Sequence, residues 1–353
     1  MKYKLPKFCT ALFLCGICIA PSFADRGAFD FERWDNVLND IRTKATNQNI
    51  SKTVIDETLK NPHFVPGIVK SDKNQTEFTL TLNQYLDRTV SMDRINQGRK
   101  KHAEYPTLLN RIEQKYHVPS NVILAFWGME SNYGQVKSRH QLTDAFLTLV
   151  YEGRREEFFS KQLLALMKIA DKNKLAIKSI HGSWAGAMGH FQFIPTTLAQ
   201  YGVDGNNDGS IDIINSVGDA MYSAANYLNK LGWNQNEKIV RRVVVPADFD
   251  RTMLGGDTKK SVKDWAKMGV TNPDGSSLPQ TDMQAGLVTD TKELAKRDLY
   301  QPYKNDEENV DTDIAPAPVI SAYLTYPNFY RIKKWNNSSW YAIAIAELSE
   351  KLK

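Results

Sequence analysis

The chain has 353 residues and a mass of 40.1 kDa, with 42% hydrophobic residues, 24% charged residues and a formal net charge of +5. This composition is too apolar for a disordered chain and too charged for a protein with many membrane spans, and the length predicts about two domains. Cys9, Cys15 and Cys18 are the only cysteines. Because all three lie near the N-terminus, a disulfide scaffold and a thiol nucleophile deeper in the chain are excluded.

A secretory signal peptide is predicted for residues 1–24. A basic start is followed by an uncharged apolar run from Phe8 to Ala20, and Ser22 and Ala24 suit a cleavage site. The run is too short to span a bilayer comfortably, and neither of the two later cysteines follows the small residue that a lipoprotein signal needs. We expect a periplasmic protein without an integral membrane segment after cleavage. Its scattered basic pairs do not predict a nucleic-acid partner.

The first region after the signal, residues 25–118, is predicted to be a helical domain. Trp34, Val37, Leu38 and Ile41 recur there at helical spacing. A second helical block, residues 119–235, contains glycine-rich turns at 182–189 and 202–209 and is expected to form a core of its own.

The composition changes after residue 235. Val243 to Val245, bounded by a proline, predict a strand, so residues 236–319 are expected to form a small mixed α+β insert that ends in a long charged loop. The apolar pattern resumes in residues 320–353, which should return to the core and close with a helix over Ala342–Leu352. The predicted fold class is mainly α (α+β).

Glu130 lies near the end of a predicted helix that has Ser120 as its N-cap and Gly134 as its stop. Phe126 and Trp127 lie four and three positions earlier, so Glu130 falls on the apolar face of the helix. Burial and the negative end of the helix dipole both raise the pKa of such a carboxyl group, as a general acid at neutral pH requires. The same pattern also fits a helix-end Glu that points into water.

The segment Ser183–Pro195 alternates small and bulky residues and places Gln192 between Phe191 and Phe193. An amide flanked by aromatic rings suits a sugar, which has hydroxyl edges and apolar faces. A tight turn followed by an ordinary core segment would give the same sequence.

The loop from Asp204 to Asp212 matches several positions of an EF-hand calcium loop. Its twelfth position is Asn215, where a bidentate Glu should stand. The loop is therefore either a polar turn or a calcium site that a later acid, Asp219, completes. No zinc-protease motif, P-loop or nucleophile elbow is present in the sequence.

Several motifs in this order resemble the lytic murein transglycosylase B family, glycoside hydrolase family 103, whose members cleave bacterial peptidoglycan. The matching stretches, which cover the chain from about residue 30 to its end, are Glu77–Thr81, Tyr85–Arg88, Glu130–Gly134, Gly153–Arg155, Gly186–Gly189, Gln192–Pro195, Ala225–Leu228 and Pro327–Tyr330. The resemblance implies a lysozyme-like helical core with an additional helical domain and a small domain with strands.

The resemblance also implies roles for individual residues. Glu130 would be the single catalytic acid and base. Substrate-binding positions would be Tyr85, Tyr133, Arg154, Arg155, Ser183, Gln192, Phe193, Trp335, Asn336 and Tyr341. Trp335 stands where the family usually has Tyr. Calcium would bind Asp204, Asn206, Asp208, Ser210 and Asp219, with a spacing to Asp219 one residue longer than usual, and no organic cofactor is implied.

The implied reaction is non-hydrolytic cleavage of the MurNAc-GlcNAc β-1,4 bond. One evident carboxylate suffices if the substrate's 2-acetamido group and C6 hydroxyl replace a second carboxylate and water, which gives a 1,6-anhydro-MurNAc end. The expected partners are peptidoglycan glycan strands, and other cell-wall enzymes are compatible with this activity. A hydrolytic lysozyme-type muramidase and a non-catalytic peptidoglycan-binding protein remain the alternatives.

Overall fold

The structure is a computed structural model of the chain, and it describes residues 29–73, 80–136, 138–290 and 319–353. The predicted signal peptide (residues 1–24), the start of the Glu77–Thr81 motif and most of the predicted loop after Asp290 lie outside these residues. Within the described ranges, no helix has both the length and the apolar character needed to cross a membrane.

Helices form most of the described part of the chain. The fourteen α-helices found there are α1 (Phe31–Asn47), α2 (Lys52–Leu59), α3 (Pro66–Lys73), α4 (Leu82–Thr89), α5 (Met92–Glu104), α6 (Pro106–Tyr116), α7 (Ser120–Ser131), α8 (Leu142–Glu152), α9 (Glu156–Asn173), α10 (Pro195–Tyr201), α11 (Val217–Lys230), α12 (Val262–Lys267), α13 (Pro327–Trp335) and α14 (Ser339–Lys351). The predicted mainly α fold class is confirmed.

The strands form two small antiparallel sheets. They are β1 (His140–Gln141), β2 (His181–Gly182), β3 (Val240–Pro246), β4 (Lys260–Ser261), β5 (Gln284–Val288) and β6 (Val319–Thr325). Strands β1 and β2 pair with each other, and the other four have the order β3-β6-β5-β4. The strand predicted at Val243–Val245 is therefore the middle of β3.

Side-chain caps begin several of the helices that surround the site. Thr81 and Gln84 form a capping box at the start of α4, and the Ser338 hydroxyl accepts a hydrogen bond from the Tyr341 backbone N–H at the start of α14. The predicted cap of α7 is wrong, because that helix already includes Ser120. Pro119 occupies the N-cap position and makes no side-chain cap bond.

Helix α7 lies inside the helical core. Residues 122–128 are all buried, and α5, α6, α11 and α14 pack against this helix. Ile123 on α7 and Ile343 on α14 are fully buried in the same cluster. A side chain at the C-terminal end of α7 is therefore held by a rigid, close-packed framework.

The four-stranded sheet has its own smaller core, in which Trp265 and Leu287 are fully buried. Strand β6 pairs with both β3 and β5, and Leu324 lies opposite Arg241 on one side and Leu287 on the other. The sequence pattern does not predict β6 as a strand. This strand leads directly into α13, so the sheet anchors the C-terminal segment that returns to the helical core.

The predicted division into domains stays a prediction. Residues on both sides of the boundary at 118/119, such as Ile41, Ile112 and Ile123, belong to one continuous buried cluster. The region 236–319 contributes most of the separate sheet core.

Candidate active site

Glu130 lies in the last turn of α7, half-buried at the edge of the helical core. Its Oε1 atom accepts two hydrogen bonds, from the Tyr341 hydroxyl at 2.5 Å and from the Trp335 indole N–H at 2.9 Å. One oxygen of the carboxyl group therefore faces protein donors rather than bulk water. Of the two interpretations left open by the sequence, the structure favours the buried acid.

The electrostatic surroundings suit a proton donor. Burial raises the pKa of Glu130 to about 7, and the hydrogen bonds from Tyr341 and Trp335 offset only part of this effect. A carboxyl group with such a pKa is half-protonated near neutral pH, so it can give up a proton and later take one back.

Two residues from the C-terminal segment complete this side of the site. Trp335 is the last residue of α13, and Tyr341 lies in the first turn of α14, where the Ser338 cap fixes its backbone. The Tyr341 side chain is buried, which together with the charge of Glu130 holds the pKa of its hydroxyl well above 10. Tyr341 is therefore a neutral donor at every pH at which the protein would work.

Tyr85 approaches the site from α4 and is also buried. Burial raises the pKa of Tyr85, and the negative charge of Glu130 raises it further. The structure thus brings Tyr85, Tyr341 and Trp335 together around one carboxyl group from three separate helices.

The segment from Ser183 to Pro195 forms a compact turn. The Ser183 hydroxyl accepts the Ala187 backbone N–H at 3.0 Å, and the Gln192 side-chain amide donates to the Gly189 carbonyl at 2.9 Å. Gly186 has a positive φ, and a Cβ atom there would clash with the ring of Phe146. The structure thus shows the tight turn, and the predicted contact of Ser183 and Gln192 with sugar stays a prediction.

Phe193 and Asn336 occupy opposite environments. Phe193 is 2% exposed, and its ring packs 5.3 Å from the centroid of Trp335, so it supports the indole from behind. Asn336 is exposed directly after α13, where its side-chain oxygen accepts the Ser338 backbone N–H.

Tyr133 does not join this group. It is 3% exposed, and its hydroxyl donates to the backbone carbonyl of Arg94 at 3.0 Å. Asn132 and Tyr133 both have positive φ, which turns the chain back on itself after α7 and directs the ring against Gly98 and Gly128. The side chain is therefore a packing element in this structure, and its predicted contact with sugar stays a prediction.

Arg154 and Arg155 both bind the buried carboxylate of Asp72 on α3. Their side chains remain 49% and 38% exposed, whereas that of Asp72 is 1% exposed. Sequence reasoning missed Asp72, because it lies more than eighty positions from its partners and no local pattern marks it.

The side chains of the EF-hand-like loop mostly face backbone N–H groups. The two carboxylate oxygens of Asp204 accept from Asp208 and Gly209, and Asp208 accepts from Ser210. Asp219 is fully buried and braces the loop by accepting from the backbone of Gly205 and Asp212.

In the described ranges, no three His, Cys, Asp or Glu side chains are close enough together to hold a metal ion. Asp204, Asn206 and Asp208 nevertheless carry the oxygen donors that calcium prefers, and each carboxylate oxygen that accepts one N–H keeps a second lone pair. The donor set is therefore chemically compatible with calcium.

The chain is similar to known proteins over most of its length. A family model described as "Transglycosylase SLT domain" matches residues 33–350. The membrane-bound lytic murein transglycosylase B of Escherichia coli (strain K12) is 29% identical over 268 residues, which span 76% of this chain and 66% of that protein, just under two thirds.

Two solved structures are similar in fold. SltB3 from Pseudomonas aeruginosa, in complex with NAG-anhNAM-pentapeptide, is 34% identical with a TM-score of 0.78, and the match covers 90% of this chain and 79% of that one. The Escherichia coli lytic transglycosylase Slt35 in complex with calcium is 25% identical with a TM-score of 0.72, covering 90% of this chain and 92% of that one. The lysozyme-like fold expected from the sequence is thereby confirmed.

Proposed function

We propose that this chain, which belongs to the transglycosylase SLT domain family, is a peptidoglycan lytic transglycosylase. Glu130 would be both its acid and its base. The observation that carries the proposal is the half-buried carboxyl group of Glu130, which accepts hydrogen bonds from the neutral donors Tyr341 and Trp335, while burial raises its pKa to about 7. The family resemblance found in the sequence is confirmed.

The chemistry follows from this solitary carboxyl group. Among the described residues, the causes that act on the pKa of Glu130 are burial and the hydrogen bonds from Tyr341 and Trp335, and none of them is a second carboxylate. Cleavage with a single carboxylate needs the substrate to supply the other group. The 2-acetamido oxygen of N-acetylmuramic acid can instead attack C1 while protonated Glu130 gives its proton to the departing glycosidic oxygen. The resulting carboxylate then removes the proton of the C6 hydroxyl, whose oxygen attacks C1.

This sequence of steps balances without water. In the first step the bond from C1 to the leaving sugar breaks as the acetamido oxygen bonds to C1. In the second step the bond from C1 to the acetamido oxygen breaks as O6 bonds to C1, the acetamido group is restored, and Glu130 ends in the protonated form in which it began. The product is a 1,6-anhydro-MurNAc end. Because the attacking hydroxyl belongs to the same sugar, its effective concentration is high and no bound water has to be positioned.

The relatives support this reaction over hydrolysis. SltB3, 34% identical, has been solved with NAG-anhNAM-pentapeptide, a ligand that contains the anhydro sugar. The buried acid of this chain disfavours the third candidate, a non-catalytic peptidoglycan-binding protein, since binding alone needs no carboxyl group with a pKa near 7.

We infer that the sugar chain is held by Tyr85, Ser183 and Gln192 near Glu130. Asn336, which follows α13 in the C-terminal segment, would contact it as well. The side chains of Arg154 and Arg155 stay 49% and 38% exposed beyond their contact with Asp72, and their remaining N–H groups would donate to polar groups of the glycan. The partner proposed is therefore the glycan strand of peptidoglycan, and no role for further cell-wall enzymes is needed for cleavage.

Calcium is proposed as a structural ion only. Asp204, Asn206, Asp208 and the Ser210 carbonyl would hold it, while Asp219 would brace the loop and complete the site through its remaining lone pairs. When bound, the ion supplies rigidity to the loop that follows α10, and every proton transfer stays with Glu130.

The proposed location is the periplasm, after removal of residues 1–24. The support is the basic and apolar pattern of that segment and the peptidoglycan substrate class of the family. Exported protein beginning at Asp25 in the periplasmic fraction would confirm it, and cytoplasmic protein that retains Met1 would contradict it.

Mass spectrometry of soluble products tests the reaction directly. Purified sacculi digested by the protein should release muropeptides whose muramic end is one water lighter than the hydrolytic product and is not reducing. The sample must not be treated with borohydride, which would alter reducing ends. Products that are mainly reducing would identify a lysozyme, and intact sacculi after prolonged digestion would favour the binding protein.

A further inference from the structure

Both hydrogen bonds to Glu130 end on the same carboxylate oxygen. Trp335 Nε1 lies 2.9 Å and Tyr341 Oη lies 2.5 Å from Oε1. A protonated carboxyl group carries its proton on one oxygen and uses the other mainly as an acceptor. Two donors on Oε1 therefore favour a proton on Oε2.

The two donors are not equivalent. A tyrosine hydroxyl can donate or accept, whereas an indole N–H can only donate. If the proton moved to Oε1, Tyr341 could reverse its role and accept it, but the Trp335 N–H would then face another proton. Trp335 is thus the contact that distinguishes the two oxygens of Glu130.

The indole is held in place by three neighbouring rings. Its centroid lies 4.8 Å from that of Phe126, 5.3 Å from that of Phe193 and 5.0 Å from that of Tyr227. These contacts come from α7, the turn before α10, and α11. The direction of the N–H is therefore set by packing before any substrate arrives, as preorganised electrostatic stabilisation requires.

We propose that Trp335 is a positioning residue whose N–H keeps Oε1 as the accepting oxygen, so that proton transfer to and from the sugar runs through Oε2. This inference rests on the proposed function of Glu130 and deepens it. It assigns Trp335 a role through Glu130 instead of the sugar contact expected from the sequence. It also gives a physical reason why an indole can stand where the resembling family usually has a tyrosine.

The tyrosines that face Glu130 do not change charge near neutral pH, so a shift in the pH–rate profile would report the pKa of Glu130. Tyr85 from α4 and Tyr341 from α14 both have a pKa raised above its usual value, so neither ionises near neutral pH. The charge of Arg94 acts to lower the pKa of Tyr85 without reversing this rise, and burial lowers the pKa of Arg94 itself. A donor to the ionised form of Glu130 lowers its pKa, and loss of the Trp335 donor should raise it.

The test compares Trp335→Phe with Trp335→Tyr in the full chain. Trp335→Phe keeps a ring but removes the donor, so kcat should fall about tenfold while the basic limb of the pH profile moves up by about one unit. KM should change much less. Trp335→Tyr should recover only part of the rate and move the limb part of the way back, because a hydroxyl can donate again but can also accept.

Trp233→Phe is the matched control. The Trp233 indole N–H is buried without a hydrogen-bond partner in the described part of the chain, so its loss should leave both the rate and the pH profile unchanged. Replacement of Trp335 by benzothienylalanine, which substitutes sulfur for N–H at nearly the same shape, repeats the test if Trp335→Phe melts abnormally.

Two results would overturn the proposal. One is an unchanged pH limb and kcat in a folded donor-free variant. The other is a loss confined to KM, which would make Trp335 a sugar contact. Product masses are recorded for every variant, because reducing products from the parent protein would refute transglycosylation while leaving the role of Trp335 open to the same pH comparison.

Discussion

Glu130 and Asp72 are both carboxylates with two side-chain partners, yet their partners have opposite electrostatic effects. Glu130 meets two neutral donors, and burial raises its pKa to about 7. For Asp72, burial also acts to raise the pKa, but the hydrogen bonds and charges of Arg154 and Arg155 outweigh it and hold the pKa below its usual value.

A proton-transfer site and a structural ion pair differ in the charge of the groups that bind the carboxylate. Neutral donors orient a carboxyl group without supplying the charge that would keep it ionised, so both protonation states remain accessible. Two guanidinium groups fix the ionised state and convert the carboxylate into an anchor between α3 and the residues after α8. Burial alone therefore does not identify a catalytic acid.

The largest expected effect comes from Glu130→Gln. The amide keeps the shape and can accept from Tyr341 and Trp335, but it cannot deliver a proton, so cleavage of sacculi should fall by about 10² to 10⁴. Glu157→Gln, at an exposed position on α9, is the control and should retain the parental rate. A folded Glu130→Gln variant that degrades sacculi normally would remove Glu130 from the mechanism.

The same variant should also reveal the raised pKa of Glu130 through the pH dependence of the melting temperature. Because the folded pKa of Glu130 lies above its unfolded value of 4.5, the native protein loses stability as pH rises from about 4.5 to about 7. Glu130→Gln should therefore melt at a higher temperature than the parent at pH 8 and at a similar one at pH 4. Equal melting differences at both pH values would show that the carboxyl group is not perturbed.

Tyr341→Phe should have an intermediate effect on activity. It removes the shorter of the two hydrogen bonds to Glu130, which should cost roughly 10-fold or more in kcat and raise the pKa of the acid. The pH–rate profile is the measurement, and Tyr323→Phe, in the sheet, serves as the control for losing a buried hydroxyl. If the basic limb of the pH–rate profile moved to lower pH instead, Tyr341 would not be the donor in this hydrogen bond.

Asp72→Asn should affect stability more than chemistry. The variant leaves two guanidinium groups without their carboxylate, and the melting temperature should fall by roughly 5 °C at pH 7. Because the folded pKa of Asp72 is depressed, its contribution is present above the unfolded value of 3.8 and disappears as pH falls below it. The deficit should thus vanish in acid.

Asp56→Asn is the matched control, since Asp56 pairs with Arg42 and Lys52 on the surface. It should change the melting temperature little at any pH. If both substitutions behave alike, Asp72 is not an anchor.

Calcium should give the smallest effect, a rise in melting temperature with no change in product or pH profile. Ligand that binds the native state stabilises it by mass action. Asp204→Asn should abolish the rise. Identical melting in millimolar calcium and in chelator, with no calcium in the purified protein, would show that the loop is held by its own hydrogen bonds.

Local sequence signals predicted much of this fold and part of the site. Helical periodicity located α1 and α7, and the position of Glu130 on an apolar face anticipated its raised pKa. Strand β6 escaped prediction, because its apolar residues pair with strands that are distant in the sequence.

The missed features of the site have the same cause. The partners of Glu130 lie more than two hundred residues away, and those of Asp72 more than eighty. Family resemblance named Tyr341, Arg154 and Arg155, but no local pattern could show which carboxylate each one meets. The motif that contains Tyr133 also could not show that the left-handed turn after α7 directs the ring inward.

Site-resolved titration would measure the contrast between Glu130 and Asp72 in the folded protein. With ¹³C-labelled Glu and Asp carboxyl groups, NMR can follow Glu130 and Asp72 in one sample, with Glu130→Gln and Asp72→Asn to assign the signals. We expect Glu130 to titrate near pH 7 and Asp72 below its usual value of 3.8. A midpoint near 4.5 for Glu130 would contradict it, because an acid of ordinary pKa would be almost fully ionised at neutral pH.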